Sequence, residues 1–148
     1  MNTKIERLNE HNLDELIEFW ERNKKDAHFF EPHPFTKVYL EDIIETHVKD
    51  IYLLFFVNDV VIGYGLLRGW DEGYNIPSLG IEIDRDYRGR GLGKTFMNIL
   101  HDTAKRNRAD KVRLTVMKDN LVARKLYEDL GYKFHPYKED RDEGILDL

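Results

Sequence analysis

Two strand-like runs joined by a two-residue turn mark the centre of this chain as a β-hairpin. The runs YLLFFV (52–57) and VVIGYGLL (60–67) are rich in β-branched and aromatic residues, and only Asn58 and Asp59 separate them. Asparagine and aspartate tolerate the left-handed backbone that a tight hairpin turn needs. A sheet built around this hairpin is therefore the first expectation for the fold.

Helical and strand-like patterns alternate on both sides of the hairpin. Apolar residues at helical spacing predict a helix over 12–25 with Asn12 as its N-cap. A second helix is predicted over 37–50, with inward-facing residues Leu40, Ile43, Ile44 and Val48. The remaining predicted elements are strands over 3–8, 78–84 and 111–116, helices over 92–108 and 120–131, and a last hairpin in the tail. This order favours one α/β domain over residues 1–148 with a mixed sheet.

Length, charge and cysteine content exclude several classes of protein. The 148 residues are 41% hydrophobic, which is enough for one sizeable core, and the net charge of −5 argues against a nucleic-acid partner. The absence of cysteine removes disulfides, thiolate metal sites and cysteine nucleophiles. The six histidines have no metal-ligand spacing, so no metal is expected. No stretch approaches the roughly 20 apolar residues that span a bilayer. We expect a cytoplasmic protein with no membrane partner.

The stretch DRDYRGRGLGKTF (84–96) places three glycines at alternate positions between a predicted strand and a predicted helix. The first amides of a helix have no internal partner, and glycine removes the Cβ atoms that would keep an anion away from them. Residues 85–94 hold a local charge of +3, because four basic residues (Arg85, Arg88, Arg90 and Lys94) stand against Asp86. The pattern suits a diphosphate, although neither common nucleotide motif is present. A glycine-rich turn with a solvated basic face remains the alternative.

Two segments resemble one family, the GNAT superfamily of N-acetyltransferases. RGRGLG (88–93) resembles its acetyl-CoA loop, R/Q-x-x-G-x-G/A, and NLVARKLYEDLGYKF (120–134) resembles its N-x-x-A-x-x-L-Y-x-x-x-G-F/Y element. The two segments stand in the family's order. The resemblance implies an α/β fold of the α+β mixed-sheet type, with a mostly antiparallel sheet of six to seven strands and about four helices. It also implies acetyl-CoA as the cosubstrate.

The resemblance carries over to particular residues. It implies that the coenzyme's pantetheine arm follows the strand before the loop, in a gap between two neighbouring strands, and that the pyrophosphate binds the loop amides. It implies that Asn120 contacts the arm and that Tyr127 is the general acid, whereas an amphipathic core tyrosine is the alternative interpretation of Tyr127. The implied coenzyme-binding residues are Ile81, Glu82, Ile83, Arg88, Gly89, Arg90, Gly91, Leu92, Gly93, Lys94, Asn120 and Tyr127.

The general base is where this chain departs from part of the family. Some members carry a glutamate five residues before the asparagine, and here that position is Thr115. Glu82 is the nearest replacement, because it alternates with Ile81 and Ile83 on the strand and so faces away from the core. The alternative is an exposed strand glutamate without a catalytic role. His28 precedes the apolar segment FFEPHPF and His33 lies within it, in the region that shapes acceptor pockets in the family, and both are otherwise surface residues.

Three functions remain open at this point. The first is acetylation of a primary amine on a small molecule, such as an amino sugar, polyamine, amino acid or aminoglycoside. The second is acetylation of a protein N-terminus or lysine. The third, from a different class, is a non-catalytic acyl-CoA sensor, against which the presence of Tyr127 argues. Homodimers are frequent in the family, and no sequence feature decides the oligomeric state of this chain.

Overall fold

A computed structural model describes residues 2–26, 30 and 32–148. Its strands are β1 (Thr3–Arg7), β2 (Ile51–Val57), β3 (Val60–Arg68), β4 (Ser78–Ile83), β5 (Lys111–Met117), β6 (Lys133–Lys138) and β7 (Arg141–Asp147). Its α-helices are α1 (Leu13–Asn23), α2 (Lys37–Thr46), α3 (Leu92–Arg106) and α4 (Leu121–Asp129). Across the described ranges, no helix is both long and apolar enough to cross a bilayer.

The strands form one seven-stranded sheet in the order β1-β2-β3-β4-β5-β7-β6. All neighbouring pairs are antiparallel except β4 and β5, which are parallel. A core cluster on each face of the sheet is built from alternate residues of the strands. One cluster includes the buried side of α3, and the other includes the buried sides of α1 and α2. The predicted mixed sheet and its mostly antiparallel character are confirmed.

The central hairpin forms as predicted. Asn58 and Asp59 adopt left-handed backbone angles, with φ of 49° and 66°, which two-residue hairpin turns require. Every residue of β2 is buried, because both of its faces lie under a core cluster. The tail also forms the predicted hairpin, in which β7 pairs with both β6 and β5.

The second helix is shorter than predicted. It ends at Thr46, and Val48, which was expected to face inward, is 82% exposed. The carboxylate of Asp71 accepts hydrogen bonds from the amides of Val48, Lys49 and Asp50, which holds them in a turn. A distant carboxylate therefore terminates the helix, and the local apolar spacing gave no sign of it.

The first helix begins where expected, but its cap works differently. Asn12 occupies the N-cap position without a side-chain capping bond. Its side chain instead accepts from the Asn9 amide and donates to the carbonyl of Arg7, so it fastens the end of β1. The helix also ends in a polar anchor, the buried side chain of Asn23.

Candidate active site

Strands β4 and β5 are joined at one end and separate along the rest of their length. The only register pair between them within the described chain is Ser78 with Arg113, supported by a 3.0 Å bond from the Arg113 amide to the Pro77 carbonyl. β4 pairs with β3 along its whole length, and β5 pairs with β7 likewise. A split therefore opens in the middle of the sheet.

Strand geometry turns backbone groups of β4 toward this split. The Ile83 carbonyl accepts from Arg88 Nε (3.1 Å), whereas the Asp84 amide donates to the Ile62 carbonyl on the β3 side (2.7 Å). Successive residues direct their backbone groups to opposite edges of a strand. The backbone groups of Ile81 and Ile83 therefore point into the split, and those of Glu82 point toward β3. The three predicted positions thus divide into two that offer backbone groups and one that offers a side chain.

The glycine-rich loop forms an open concave turn at the end of β4. Gly89 and Gly91 have φ of 76° and 77°, and a Cβ added to either would meet nothing within 4 Å. Gly91 is the N-cap of α3, and no side chain caps this helix. In the described structure, the amides from Gly89 to Lys94 donate to no protein group. These amides and the space in front of the two glycines can receive an anion such as a diphosphate.

Only part of the loop's positive charge remains available to an anion. Arg85 pairs with Asp26 at 2.9 Å, and Arg88 donates to Oε1 of Glu82 at 2.5 Å. Arg90 lies over the ring of Tyr87, 5.0 Å from its centroid. Among the described residues, Arg90 and Lys94 make no ion pair, so they are the loop's available cations. The charge of +3 counted from the sequence did not include Asp26 and Glu82, because both residues lie outside the range 85–94.

A buried polar group on α1 fixes the start of the loop. Asn23 Nδ2 donates to the Asp84 carboxylate (3.1 Å), and Asn23 Oδ1 accepts from the Arg85 amide (3.0 Å). Burial acts to raise the pKa of Asp84, but bonds from the Asp86 amide, Asn23 and Arg22 outweigh it and lower the pKa below its ordinary value. A charged Asp84 therefore ties α1 to the chain segment that leads into the loop.

Glu82 and Tyr127 are coupled electrostatically across the split. Only 11% of the Glu82 side chain is exposed, and burial raises its pKa despite the opposing charge of Arg88. Burial, together with the charge of Glu82, raises the pKa of Tyr127 to about 12. The site therefore contains a carboxyl group with enhanced basicity and a tyrosine that stays protonated. Tyr127 also packs against the α3-side core, 5.8 Å from Tyr132 between ring centroids.

Asn120 begins α4, two turns before Tyr127. Its side chain accepts from the Ala123 amide at 3.4 Å, so Asn120 caps the helix in this structure. Two helical turns separate Asn120 and Tyr127 by about 10 Å along the axis on one face.

A cleft of about 570 Å³ lies on the α1/α2 face of the sheet, next to the split. Its walls come from the α1–α2 and β3–β4 connections and from strands β3, β4, β5, β6 and β7. Thr115 lines this cleft, so a glutamate at that position would have pointed into it. Glu143 is the residue opposite Thr115 on β7 and also lines the cleft. Sequence analysis missed Glu143, because only the pairing of β5 with β7 places it there.

Glu143 is not a free carboxylate. It accepts from Arg113 Nε at 2.5 Å and is bonded to His135 Nε2 at 2.8 Å. Burial acts to raise its pKa, but these two partners outweigh it and the pKa lies below its ordinary value. Glu143 is thus a poor base and a good anchor for Arg113.

Of the two histidines singled out in the sequence, the structure describes His33. His28 lies outside the described residues. His33 is buried, with Nδ1 bonded to the Pro34 carbonyl and Nε2 bonded to Oη of Tyr64, both at 2.7 Å. Burial lowers its pKa to about 4. His33 is therefore a neutral, fully bonded core residue below the cleft.

Comparisons with known proteins agree with the fold. A profile of the acetyltransferase (GNAT) family matches residues 6–132. The spermine/spermidine N(1)-acetyltransferase of Bacillus subtilis is 30% identical over 117 residues, covering 75% of this chain and 77% of the relative. The catalytic subunit of the N-terminal acetyltransferase B complex of Arabidopsis thaliana is 30% identical over 113 residues, covering 66% of this chain and 65% of that protein.

A solved structure extends the likeness to the whole chain. The PaiA N-acetyltransferase of Thermoplasma acidophilum, crystallised in complex with coenzyme A, superposes with a TM-score of 0.78 at 19% identity, covering 100% of both chains. The seven-stranded mixed sheet with four helices is thus the fold of known acetyltransferases. The chain belongs to the GNAT acetyltransferase family and is an acetyl-CoA-dependent N-acetyltransferase.

Proposed function

We propose that this enzyme acetylates a primary amine on a small molecule, with residues 1–148 acting as one catalytic domain. The observation that carries the proposal is the row of unbonded amides from Gly89 to Lys94 beside the β4–β5 split. The amides bind the coenzyme's pyrophosphate, assisted by Arg90 and Lys94, and the backbone of Ile81 and Ile83 orients the pantetheine arm. A cytoplasmic location stays a prediction from the sequence.

Acetyl-CoA supplies a thioester whose acetyl group moves to nitrogen while its sulfur leaves as a thiolate. A backbone amide of Ile81 or Ile83 stabilises the charge that develops on the acetyl oxygen. Tyr127 donates its proton to the leaving sulfur, and a pKa of about 12 keeps the phenol protonated at working pH. Glu82 accepts a proton from the incoming amine, because burial makes its carboxylate more basic than usual. The C–N bond forms first, and the C–S bond breaks as the acetyl C=O double bond re-forms.

Arg88 takes part in two ways in this proposal. It holds Glu82 in position through a 2.5 Å bond, and it lies at the first position of the coenzyme loop. The attraction of Arg88 limits the basicity that Glu82 gains from burial. The amine must therefore arrive partly deprotonated or be weakly basic: neutralising a lysine-like amine at pH 7 costs about 4.6 kcal/mol, against about 1 kcal/mol for an α-amino group.

The test is steady-state release of coenzyme A from acetyl-CoA with a panel of amines, followed by mass measurement of the acetylated product. Turnover with a small amine supports the proposal. A protein N-terminus is the second candidate acceptor, supported by the likeness to the Arabidopsis subunit, and peptides with free N-termini test it in the same assay. Acetyl-CoA binding without turnover on any amine or peptide would contradict the proposal.

A further inference from the structure

The charges that line the cleft bear on which amines it accepts, an inference that rests on the proposed function. The charged residues among its described lining are Arg68, Glu72, Arg113, Arg141 and Glu143. Arg113 and Glu143 bond to each other, so their charges cancel. Arg141 pairs with Asp140 at 3.6 Å, so Arg68 and the exposed Glu72 are the charges of the described lining that remain without such a partner.

Arg68 has the greatest capacity to bind an anion in this cleft. It is half-buried at the end of β3 and donates through Nη2 to the Pro32 carbonyl at 3.1 Å. Within the described ranges, no carboxylate pairs with its guanidinium. An arginine has five N–H donors in a fixed fork that matches carboxylate and phosphate groups, so the bonds of Arg68 to the Pro32 carbonyl and the Tyr52 hydroxyl leave other donors for a ligand.

The sheet register sets the distance from Arg68 to the reacting end of the cleft. Arg68 lies opposite Ser78 on β4, at the closed end of the split. Gly80, two residues further along β4, has no side chain, and a Cβ there would approach Leu66 to 3.1 Å. The side chains of Leu66 and Phe30 lie over Gly80 and form the floor of the cleft between Arg68 and Ile81. The three residues from Ser78 to Ile81 span about 10 Å of strand, which sets an upper limit on the distance from the anion to the amine.

We propose that the acceptor is an amine that also carries a carboxylate or phosphate within about 10 Å of the reacting nitrogen, and that Arg68 binds this anionic group. The anion anchors one end of the acceptor at the closed end of the split. The amine then lies beside the backbone of Ile81 and within reach of the Glu82 carboxylate. Arg68 is accordingly a specificity-determining residue.

Two matched pairs of amines test this directly. Glucosamine 6-phosphate and glucosamine differ by a phosphate, and lysine and cadaverine differ by a carboxylate. With the wild-type enzyme, we expect kcat/KM for the anionic member of at least one pair to exceed that of its partner by about tenfold or more, as for a charge-assisted bond. The pair that shows the preference identifies the anion. Equal values in both pairs, or a preference for the members without the anion, would overturn the proposal.

Variants then assign the preference to Arg68. In Arg68→Gln the anionic preference should fall to about one, and Arg68→Lys should retain part of it because the charge remains. The control is Arg7→Gln, an exposed arginine on β1 with the same change in charge, which should keep the wild-type preference. A preference that survives Arg68→Gln, or that Arg7→Gln also removes, would contradict the assignment.

Calorimetry separates this inference from the proposed function. If none of the amines releases coenzyme A, the proposed catalysis is wrong, but binding of the same amines in the presence of coenzyme A still decides the role of Arg68. Binding of an anionic member that Arg68→Gln weakens by about tenfold supports the anion site. Binding that does not change in the variant, or no binding by any anionic member, overturns it.

Discussion

A single methyl group added at Gly91 should lower both the free energy of unfolding and the affinity for coenzyme A, for two different reasons. The φ of Gly91 is 77°, and a Cβ there would meet no protein atom within 4 Å. Gly91→Ala therefore introduces backbone strain of about 1–2 kcal/mol without a steric clash in the free protein. The strain is present with and without coenzyme, so it lowers the free energy of unfolding but not the affinity.

The affinity should fall for a different reason, because the added Cβ occupies the space in front of the loop amides. Hydrogen bonds to a charged group contribute about 1.5–3 kcal/mol each, so losing two of them weakens binding by roughly 10²–10⁴-fold. Titration calorimetry with coenzyme A measures this loss, and urea unfolding measures the strain.

Gly73→Ala is the matched control for this prediction. Gly73 has φ of 93° and equally open surroundings, and it lies in the β3–β4 connection away from the loop. Its variant should show similar destabilisation and wild-type affinity for coenzyme A. Unchanged affinity in Gly91→Ala, or an equal loss in Gly73→Ala, would refute the assignment of the loop to the pyrophosphate.

Three further predictions concern protons. Tyr127→Phe should bind coenzyme A normally and turn over about 10²-fold more slowly, and an unchanged kcat would remove Tyr127 from the mechanism. Glu82→Gln should reduce kcat/KM most above the raised pKa of Glu82 and converge with the wild type below it, where the wild-type carboxyl is also protonated; a pH-independent ratio would exclude Glu82 as the base. Burial lowers the pKa of His33 from 6.5 to about 4, so the unfolded chain binds the extra proton between these values and stability is lost as pH falls through them. Urea unfolding should show a loss of about 3 kcal/mol between pH 7 and pH 4 that His33→Gln lacks, and equal pH dependence of both proteins would contradict this.

The element order could be predicted from the sequence because local patterns determine most of it. The Asn58–Asp59 turn, the period-2 strands and the glycine-rich helix start each follow from neighbouring residues, and all three were placed correctly. The end of α2 could not be predicted in this way. Asp71 stops that helix from more than 20 residues away, and nothing near Val48 signals its influence.

In the candidate site too, features that are contiguous in sequence were predicted, and features that depend on the fold were not. The two motifs located the loop and α4, because each motif is contiguous in sequence. Partnerships between charges were missed, since the pairs Arg88 with Glu82 and Arg113 with Glu143 depend on strand register and on how the loop folds back. The cleft and the place of Arg68 in it likewise exist only once β3, β4 and β5 are side by side.

The central claim is that the loop after β4 holds the coenzyme and that the β4–β5 split receives its arm. A crystal structure of this enzyme with coenzyme A tests it most directly. We predict pyrophosphate oxygens within hydrogen-bond distance of amides between Gly89 and Lys94, and pantetheine amides bonded to the backbone of Ile81 or Ile83. A coenzyme bound elsewhere, or a split closed by continuous pairing of β4 with β5, would contradict the account.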